Sequence, residues 1–157
     1  RMRETLFNWL QAELADARVL DLFAGSGALG AEALSRGAEH AVLVEKKRER
    51  AADLSRQLAP MFGERVSVHC ADALKWLARS AQRFDLVFVD PPYDLGLAEP
   101  ACQALHELGL LAPDAWIYVE SRKQSEAPAV PESWQLVREK ESGDVRARLY
   151  RKQTSTS

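Results

Sequence analysis

Hydrophobic residues change their spacing along the chain, and each spacing predicts a different element of secondary structure. Short, nearly unbroken apolar runs are typical of strands that are buried on both faces of a parallel sheet. A recurrence every three to four residues is typical of helices that cover such a sheet. The runs predict strands at residues 18–23, 41–44, 66–70, 84–89 and 116–119. The helical spacing predicts helices at residues 5–14, from the loop at 24–30 up to residue 35, and at 46–58, 73–77 and 97–110.

The pattern changes after residue 119. Residues 134–139 and 146–150 alternate apolar and polar side chains on either side of Ser142-Gly143-Asp144, which predicts an antiparallel hairpin. Five βα units followed by a hairpin predict an α/β three-layer sandwich with a mostly parallel, seven-stranded sheet. We expect residues 1–153 to form one domain and residues 154–157 to form a disordered tail. Ligands of such sheets bind beyond the carboxyl ends of the strands.

Composition narrows the class of protein. A chain of 157 residues with 46% hydrophobic content is long enough for one domain with a sizeable core. No apolar run approaches the ~20 residues of a membrane helix, and no signal segment is evident. We therefore expect a cytoplasmic protein without a membrane partner. Cys70 and Cys102 do not have the spacing of metal ligands, so we interpret both as buried apolar residues and expect no metal.

Charge argues against a generic nucleic-acid binder, because the net charge is −2 rather than basic. The sequence starts at Arg1 rather than at a methionine, and we expect that residues are missing before it. The run Lys46-Lys47-Arg48 is interpreted as a solvated helix face rather than a binding patch. The mixed charges of the predicted hairpin are interpreted as protection against edge pairing rather than as RNA contacts.

The tetrapeptide Asp90-Pro91-Pro92-Tyr93 follows the predicted strand at 84–89. Two prolines can continue neither a strand nor a helix, so the chain must turn rigidly at the carboxyl end of this strand. The turn leaves a carboxylate, the backbone carbonyl of Pro91 and an aromatic ring together. Two acceptors beside a flat ring suit a planar group with an NH2, because the acceptors take its two hydrogens while the ring stacks on its face. A nucleobase is the candidate ligand, and a turn with an aromatic anchor is the alternative.

A glycine-rich loop follows the first predicted strand. Gly25, Gly27 and Gly30 have the spacing GxGxxG between a strand and a helix, and Glu45 ends the next strand. This is formally the fingerprint of a dinucleotide site, in which the glycines allow close backbone approach and the acid binds ribose hydroxyls. Methyltransferases use the same arrangement for S-adenosylmethionine. The fingerprint alone therefore leaves a nicotinamide-dependent oxidoreductase open, and also a tight turn without a ligand.

Two further acids lie beside the predicted strand ends. Asp72 follows the third strand, where it either accepts the adenine amino group or caps the next helix. Asp21 precedes the glycine loop and either holds that loop or bonds the ammonium group of a cofactor. An acid that grips an amine, as predicted for Asp90, has no evident use in a nicotinamide enzyme. Methyl transfer is therefore the favoured chemistry.

Four stretches together resemble a known family. They are Asp-Leu-Phe-Ala-Gly-Ser-Gly-Ala-Leu-Gly at 21–30, Asp-Pro-Pro-Tyr at 90–93, Arg-Glu-Thr-Leu-Phe-Asn-Trp-Leu at 3–10 and Ile-Tyr-Val-Glu at 117–120. The chain is similar, over residues 3–151, to the bacterial 16S ribosomal RNA guanine-N2 methyltransferases of the RsmD type. The Asp-Pro-Pro-Tyr element by itself is shared with other amino methyltransferases. Methylation of adenine N6 or of another amino group on nucleic acid therefore stays open.

The resemblance implies a Rossmann-like class I methyltransferase fold, S-adenosylmethionine as cofactor and ribosomal RNA, within a small-subunit assembly particle, as partner. Members of the family start earlier, with a basic hairpin that contacts RNA, and we expect that segment to be missing here and RNA affinity to be reduced. We expect a monomer.

The resemblance also implies roles for individual residues. The loop at 24–27 would hold the methionyl part of the cofactor, Glu45 the ribose and Asp72 the adenine, while Asp90 and Pro91 would grip the target amine. The predicted catalytic residues are Asp90, Pro91, Pro92 and Tyr93. The predicted cofactor-binding residues are Asp21, Phe23, Ala24, Gly25, Ser26, Gly27, Glu45, Lys46, Asp72 and Ala73.

Overall fold

The computed structural model describes residues 2–93 and 95–153, so the tail predicted at 154–157 lies outside the described residues. The strands of its sheet are β1 (Arg18–Asp21), β2 (His40–Glu45), β3 (Val66–Cys70), β4 (Phe84–Val89), β5 (Leu111–Arg122), β6 (Trp134–Ser142) and β7 (Val145–Lys152). Their order is β3-β2-β1-β4-β5-β7-β6 in one seven-stranded sheet. The first five strands run parallel, and β7 runs antiparallel to both β5 and β6. The predicted sheet with its terminal hairpin is confirmed.

Helices cover both faces of this sheet. In the described part of the chain they are α1 (Met2–Trp9), α2 (Ala28–Ser35), α3 (Arg48–Phe62), α4 (Ala73–Arg79) and α5 (Ala98–Glu107). Successive side chains of a strand point to opposite faces, so each central strand supplies two cores. Val19 and Phe88 belong to the core with α1, α2 and α3, whereas Leu20 and Val87 belong to the core with α4 and α5. These two cores produce the predicted three layers.

The sequence order of the strands reverses beside β1. β1 pairs with β2 on one side and with β4 on the other. The chain therefore builds the sheet outward from β1 to β3 on one side, and then crosses back to add β4 and β5 on the other side. Such a switch point opens a crevice above the carboxyl ends of the strands. The N–H of Leu22 donates to the carbonyl of Phe88 at 3.2 Å, which continues the contact between β1 and β4 up to this edge.

The first helix is shorter than predicted. α1 ends at Trp9, and a 3₁₀ turn at Gln11–Glu13 replaces the end of the helix predicted at 5–14. Leu10 has φ −95° and ψ 4°, outside the α-helical region, and its carbonyl accepts the N–H of Glu13 at 2.8 Å. Leu10 is nevertheless fully buried. The apolar spacing therefore predicted which side chains enter the core, but not how tightly the backbone winds.

Strand β5 is much longer than the predicted strand at 116–119. Its first half was missed because a bulge interrupts the regular strand pattern there. Phe84 of β4 pairs with Leu111, the first residue of β5. Two residues later, Leu86 pairs with Trp116, which is five residues further along β5. Pro113 lies in this irregular segment and interrupts the apolar run that the sequence pattern relies on. The helix before it is correspondingly shorter than predicted, since α5 ends at Glu107.

The two cysteines lie in different environments. Cys102 is buried in α5, as predicted, whereas Cys70 is exposed, so its predicted burial is wrong. Cys70 ends β3, the first strand in the sheet order, where no further strand of the described chain covers the outer edge. Its thiol lies 3.6 Å from the carbonyl of Lys46.

The hairpin of β6 and β7 carries charges that pair with one another. Arg148 donates to the carboxylate of Glu139 at 2.8 Å, and Arg146 forms ion pairs with Glu139 and Glu141. Because β6 is the last strand in the sheet order, these pairs lie at its edge. Charged side chains at such an edge discourage pairing with another strand. The contacts therefore fit the predicted protective role of these residues.

Phe7 should carry much of the attachment of α1. Its ring is fully buried, lies 5.9 Å from the ring of Phe88 and lies 5.2 Å below the guanidinium carbon of Arg36. We expect Phe7→Ala to lower the free energy of unfolding by about 3–5 kcal/mol, because apolar contacts are lost and a cavity remains. Urea unfolding measures the change. Leu108→Ala removes a side chain that is 47% exposed and should change it by less than about 0.5 kcal/mol. Equal effects of the two variants would contradict the prediction.

Candidate active site

A cavity of about 1100 Å³ opens at the carboxyl ends of the central strands. Within the described chain, its wall includes Phe23, Ala24, Gly25 and Ser26 after β1, Glu45 and Lys46 at the end of β2, Asp72 and Ala73 after β3, and Asp90, Pro91, Pro92 and Tyr93 after β4. The structure therefore brings together all the residues predicted for the site except Asp21 and Gly27. Tyr118 and Glu120 of β5 also line the cavity, although the sequence suggested no role for them.

The glycine loop needs glycine for two different reasons. Gly25 lines the cavity with φ +57°, a backbone conformation that other residues rarely adopt. Gly27 has φ +78° and faces the core instead of the cavity, since a Cβ there would lie 2.5 Å from Leu54 and 3.3 Å from Leu43. The N–H of Gly27 donates to the carbonyl of Ala24 at 2.8 Å and closes the loop. Gly27 therefore shapes the loop from beneath.

Glu45 ties the glycine loop to the end of β2. One carboxylate oxygen accepts the N–H of Gly25 at 3.1 Å, and the other accepts the N–H of Lys47 at 2.8 Å. Only 7% of the residue is exposed, at the cavity wall. The predicted ribose-binding acid is thus also a structural element, because its carboxylate fixes the loop that lies beside it.

Asp21 holds the loop from the other side. Its carboxylate accepts the N–H of Gly30 in the first turn of α2 at 3.1 Å. Asp21 is 1% exposed, and burial raises its pKa to about 7, with a further upward contribution from the charge of Glu45 and an opposing one from the Gly30 hydrogen bond. Of the two roles considered from the sequence, the contact in the structure corresponds to holding the loop.

Asp72 caps α4. Its carboxylate accepts the N–H of Lys75 at 3.1 Å, with an extended backbone at the cap position. This is the ordinary geometry of a helix N-cap. The residue is half-buried and also lies on the cavity wall. The capping role is therefore confirmed, and contact with an adenine amino group stays a prediction.

Asp90 faces a second carboxylate across the strand ends. Val89 pairs with Val119 in parallel register, so the next residues, Asp90 and Glu120, lie side by side at the edge of the sheet. A hydrogen bond between two neighbouring carboxyl groups needs a proton on one of them. Burial, such a hydrogen bond with Glu120 and the charges of Glu120 and Asp21 raise the pKa of Asp90 to about 8.

Tyr93 lies at the junction of two cavities. Its side chain is 37% exposed, and the guanidinium carbon of Arg122 lies 5.3 Å from the centre of its ring. A second cavity of about 340 Å³ adjoins the larger one and shares Pro91, Pro92, Tyr93, Leu97 and Glu120 with it. Tyr93 is not packed into the core, and its side chain lines both cavities.

Glu120 is the site residue to which sequence reasoning gave no role. The hydroxyl of Tyr118 donates to its carboxylate at 2.8 Å. Burial raises the pKa of Tyr118, and the contact with Glu120 and the charge of Asp90 raise it further. Strand register is the signal that could have identified Glu120, because a parallel strand beside β4 must place a residue opposite Asp90. The bulge that hid the first half of β5 also hid this register.

Known proteins match nearly the whole chain. Residues 1–151 match the family model described as Conserved hypothetical protein 95. The chain is 46% identical over 153 residues to Ribosomal RNA small subunit methyltransferase D of Escherichia coli, which covers 98% of this chain and 77% of that protein. The chain belongs to the family of ribosomal RNA small subunit methyltransferase D. The protein of the same name from Haemophilus influenzae is 41% identical over 155 residues, which covers 96% of this chain and 79% of that protein.

Family membership agrees with the structural comparison. The structure of yhhF from Escherichia coli matches with a TM-score of 0.95 and 45% identity, and the match covers 99% of this chain and 88% of that one. The predicted family resemblance and the class I methyltransferase fold are confirmed. Among residues 2–93 and 95–153, no three His, Cys, Asp or Glu side chains are grouped so that they could hold a metal ion. No helix in these ranges combines the length and apolar character needed to span a bilayer.

The buried carboxyl of Asp21 should make stability depend on pH. Its folded-state pKa of about 7 lies above the ordinary value of 3.8, so the folded protein binds this proton more tightly than the unfolded chain. The stability it contributes is present below about pH 4 and is lost as the pH rises through 7. We expect Asp21→Asn to increase the free energy of unfolding, and by on the order of 2 kcal/mol more at pH 8 than at pH 5.

Chemical denaturation of both proteins at pH 5 and pH 8 measures this difference. Asn retains an acceptor for the N–H of Gly30, so the hydrogen bond itself is preserved. Asp53→Asn, at an exposed position of α3, is the control and should change the free energy of unfolding by the same amount at pH 5 and at pH 8. An Asp21→Asn effect of the same size at both pH values would contradict the raised pKa.

Proposed function

We propose that this protein transfers a methyl group from S-adenosylmethionine to the exocyclic N2 amine of a guanine in 16S ribosomal RNA. The observation that supports the proposal is that the turn from Asp90 to Tyr93 and the glycine loop with Glu45 open on one cavity. A donor bound at the loop and an amine bound at the turn meet there without a change of fold. The names of the relatives, ribosomal RNA small subunit methyltransferase D, support the class of substrate.

The cavity wall fits S-adenosylmethionine at one end. Residues 23–26 bring main chain to the wall, where the methionyl part would bind. Glu45 offers a carboxylate to the ribose hydroxyls and Asp72 offers one to the adenine amino group, with Lys46 and Ala73 beside them. Sites for one small molecule measure roughly 300–1,000 Å³, so a volume of about 1100 Å³ leaves room for a second reactant.

The acceptor amine is prepared by the turn at the end of β4. When bound, the cofactor supplies an electrophilic methyl group. The guanine amine is a poor nucleophile, because its lone pair is delocalised into the ring. The Asp90 carboxylate and the Pro91 carbonyl each accept one N–H and turn the lone pair toward the donor, so that positioning and electrostatics supply much of the rate. Asp90 releases its proton when the amine donors bind, and its carboxylate then balances the positive charge that develops on the amine until the amine loses a proton.

The rest of the turn orients the base. Pro92 makes the turn rigid, since proline fixes its own φ and restricts the residue before it. Tyr93 stacks on the base, a contact worth about 1–3 kcal/mol. A guanine amine that is paired in a helix is inaccessible, so the target base must be unpaired or flipped to reach Asp90.

We extend the proposal to the domain, the form of the substrate and the oligomeric state. Residues 1–153 act as one catalytic domain, in which Asp21 and Gly27 belong to the cofactor site by fixing its loop. The substrate is the RNA within a small-subunit assembly particle, and the protein acts as a monomer. Methylation of adenine N6 or of another amino group is the alternative, because the turn at Asp90 also suits those amines.

The proposal predicts a specific product and a specific loss of turnover. Wild-type protein should transfer labelled methyl groups to unmodified 16S ribosomal RNA, either naked or in small-subunit particles, and digestion should yield N2-methylguanosine. Asp90→Ala should lower turnover by about 100- to 1,000-fold or more, because the acceptor that positions the amine is lost. Its affinity for S-adenosylhomocysteine, measured by calorimetry, should stay near that of the wild type.

Asp53→Ala, on the exposed face of α3, serves as the matched control and should retain full turnover. Near-normal turnover of Asp90→Ala would remove Asp90 from the reaction. N6-methyladenosine in the digest would replace the proposed substrate by the alternative one.

Glu45 should determine cofactor affinity. We expect Glu45→Ala to weaken binding of S-adenosylmethionine by roughly 10- to 100-fold, the worth of hydrogen bonds to a charged group. Parallel calorimetric titrations with S-adenosylmethionine, S-adenosylhomocysteine and NAD measure it. Glu45→Gln keeps the side-chain volume and one acceptor oxygen, for the N–H of either Gly25 or Lys47, so it supports the loop only in part. Unchanged affinity in Glu45→Ala, or binding of NAD alone by the wild type, would overturn the assignment of the loop.

A further inference from the structure

Two carboxylates meet at the point where the two cavities join. Asp90 follows β4, and Glu120 lies beside it in the parallel register set by Val89 and Val119. Both line the larger cavity, and Glu120 also lines the smaller one. A pair of half-buried acids is costly to maintain unless its charges are neutralised or hydrogen-bonded. Such a pair, located on a cavity wall, indicates a ligand rich in hydrogen-bond donors.

Glu120 is held in place by a buried donor. The hydroxyl of Tyr118 donates to its carboxylate at 2.8 Å. Tyr118 is itself buried, and its ring packs edge-on against that of Phe88 with 6.2 Å between their centres. The orientation of Glu120 is therefore set from within the core.

The guanine edge presents three N–H groups: two on the exocyclic amine and one on ring nitrogen N1. In the proposed function, Asp90 and Pro91 accept the two amine hydrogens, which leaves the N1–H needing an acceptor inside the cavity. This inference rests on that proposed function. We propose that Glu120 accepts the N1–H and is a specificity-determining residue that selects guanine over bases whose N1 is itself an acceptor.

The chemistry of the pair fits this role in both states. In the free protein, burial and the neighbouring Glu120 raise the pKa of Asp90, which favours a proton on the Asp90 carboxyl group. When guanine binds, that proton is released to the solvent, and each carboxylate then accepts N–H groups of the base. Adenine places a lone pair at N1 and would face the Glu120 carboxylate with like polarity. The second cavity, which Glu120 also lines, offers the base a path to this position.

The test compares two RNAs that differ at the methylated position. One carries guanine and the other 2-aminopurine, which keeps the amine at C2 but has an acceptor at N1. Affinity is measured in the presence of S-adenosylhomocysteine, and kcat/KM is measured with S-adenosylmethionine, for wild type, E120Q and the control E107Q at the exposed end of α5. The RNA is used in whichever form, naked or in a particle, the wild type methylates.

Wild type and E107Q should prefer guanine by about 10- to 100-fold in both readouts. E120Q presents an amide that donates to the N1 of 2-aminopurine, so the preference should fall at least tenfold or reverse. Comparing the two RNAs across the two proteins cancels the effect of the missing O6, as in a double-mutant cycle. If E120Q is inactive, the ratio of its affinities for the guanine and 2-aminopurine RNAs alone tests the role of Glu120.

An unchanged guanine preference in E120Q would overturn the role of Glu120, and so would an equal loss of affinity for both RNAs. These results leave the proposed function intact as long as the wild type methylates guanine. Absence of guanine methylation by the wild type would instead overturn the proposed function, and this inference with it.

Discussion

Negative charge at the carboxyl edge of the sheet is the constraint that shapes this site. Adjacent strands β2, β1, β4 and β5 each bring one acid to the edge: Glu45, Asp21, Asp90 and Glu120. Carboxylates that leave bulk water need compensation, and each of these receives a different kind. Backbone N–H groups serve Glu45 and Asp21, the Tyr118 hydroxyl serves Glu120, and the raised pKa of Asp90 favours a neutral carboxyl group there. The shapes of the loops follow from these needs.

The compensation divides the edge into two halves with different chemistry. On the side of Glu45 and Asp21, the donors are main-chain groups of the glycine loop and of α2, so these acids stabilise a fixed cradle. On the side of Asp90, the raised pKa favours a bound proton, which the carboxyl group can release when a ligand supplies other donors. The first half is therefore suited to holding a cofactor, and the second is suited to exchanging partners with an incoming base.

The sequence predicted much of this architecture because continuous apolar runs and glycine spacing are local signals. β4 and the loop at Gly25 lie where those signals indicated. Other features depend on contacts between distant residues. The role of Asp21 became clear only once Gly30 was placed above it. The role of Glu120 required the register of β5, which the bulge around Pro113 concealed. Burial of Cys70 was predicted wrongly, because the sequence does not reveal that β3 is an outer strand.

The position of β7 links the site to the way the chain is made. β7 is the last of the seven strands along the sequence, yet it lies inside the sheet between β5 and β6. A nascent chain emerges from its amino end and folds as it emerges, at about 5–20 residues per second. During synthesis, β5 therefore has one open side until β7 is available, and β6 has no partner among the earlier strands. A chain interrupted within the hairpin exposes the strand that carries Glu120 as a template for pairing with other chains, whereas synthesis of the final strand closes it.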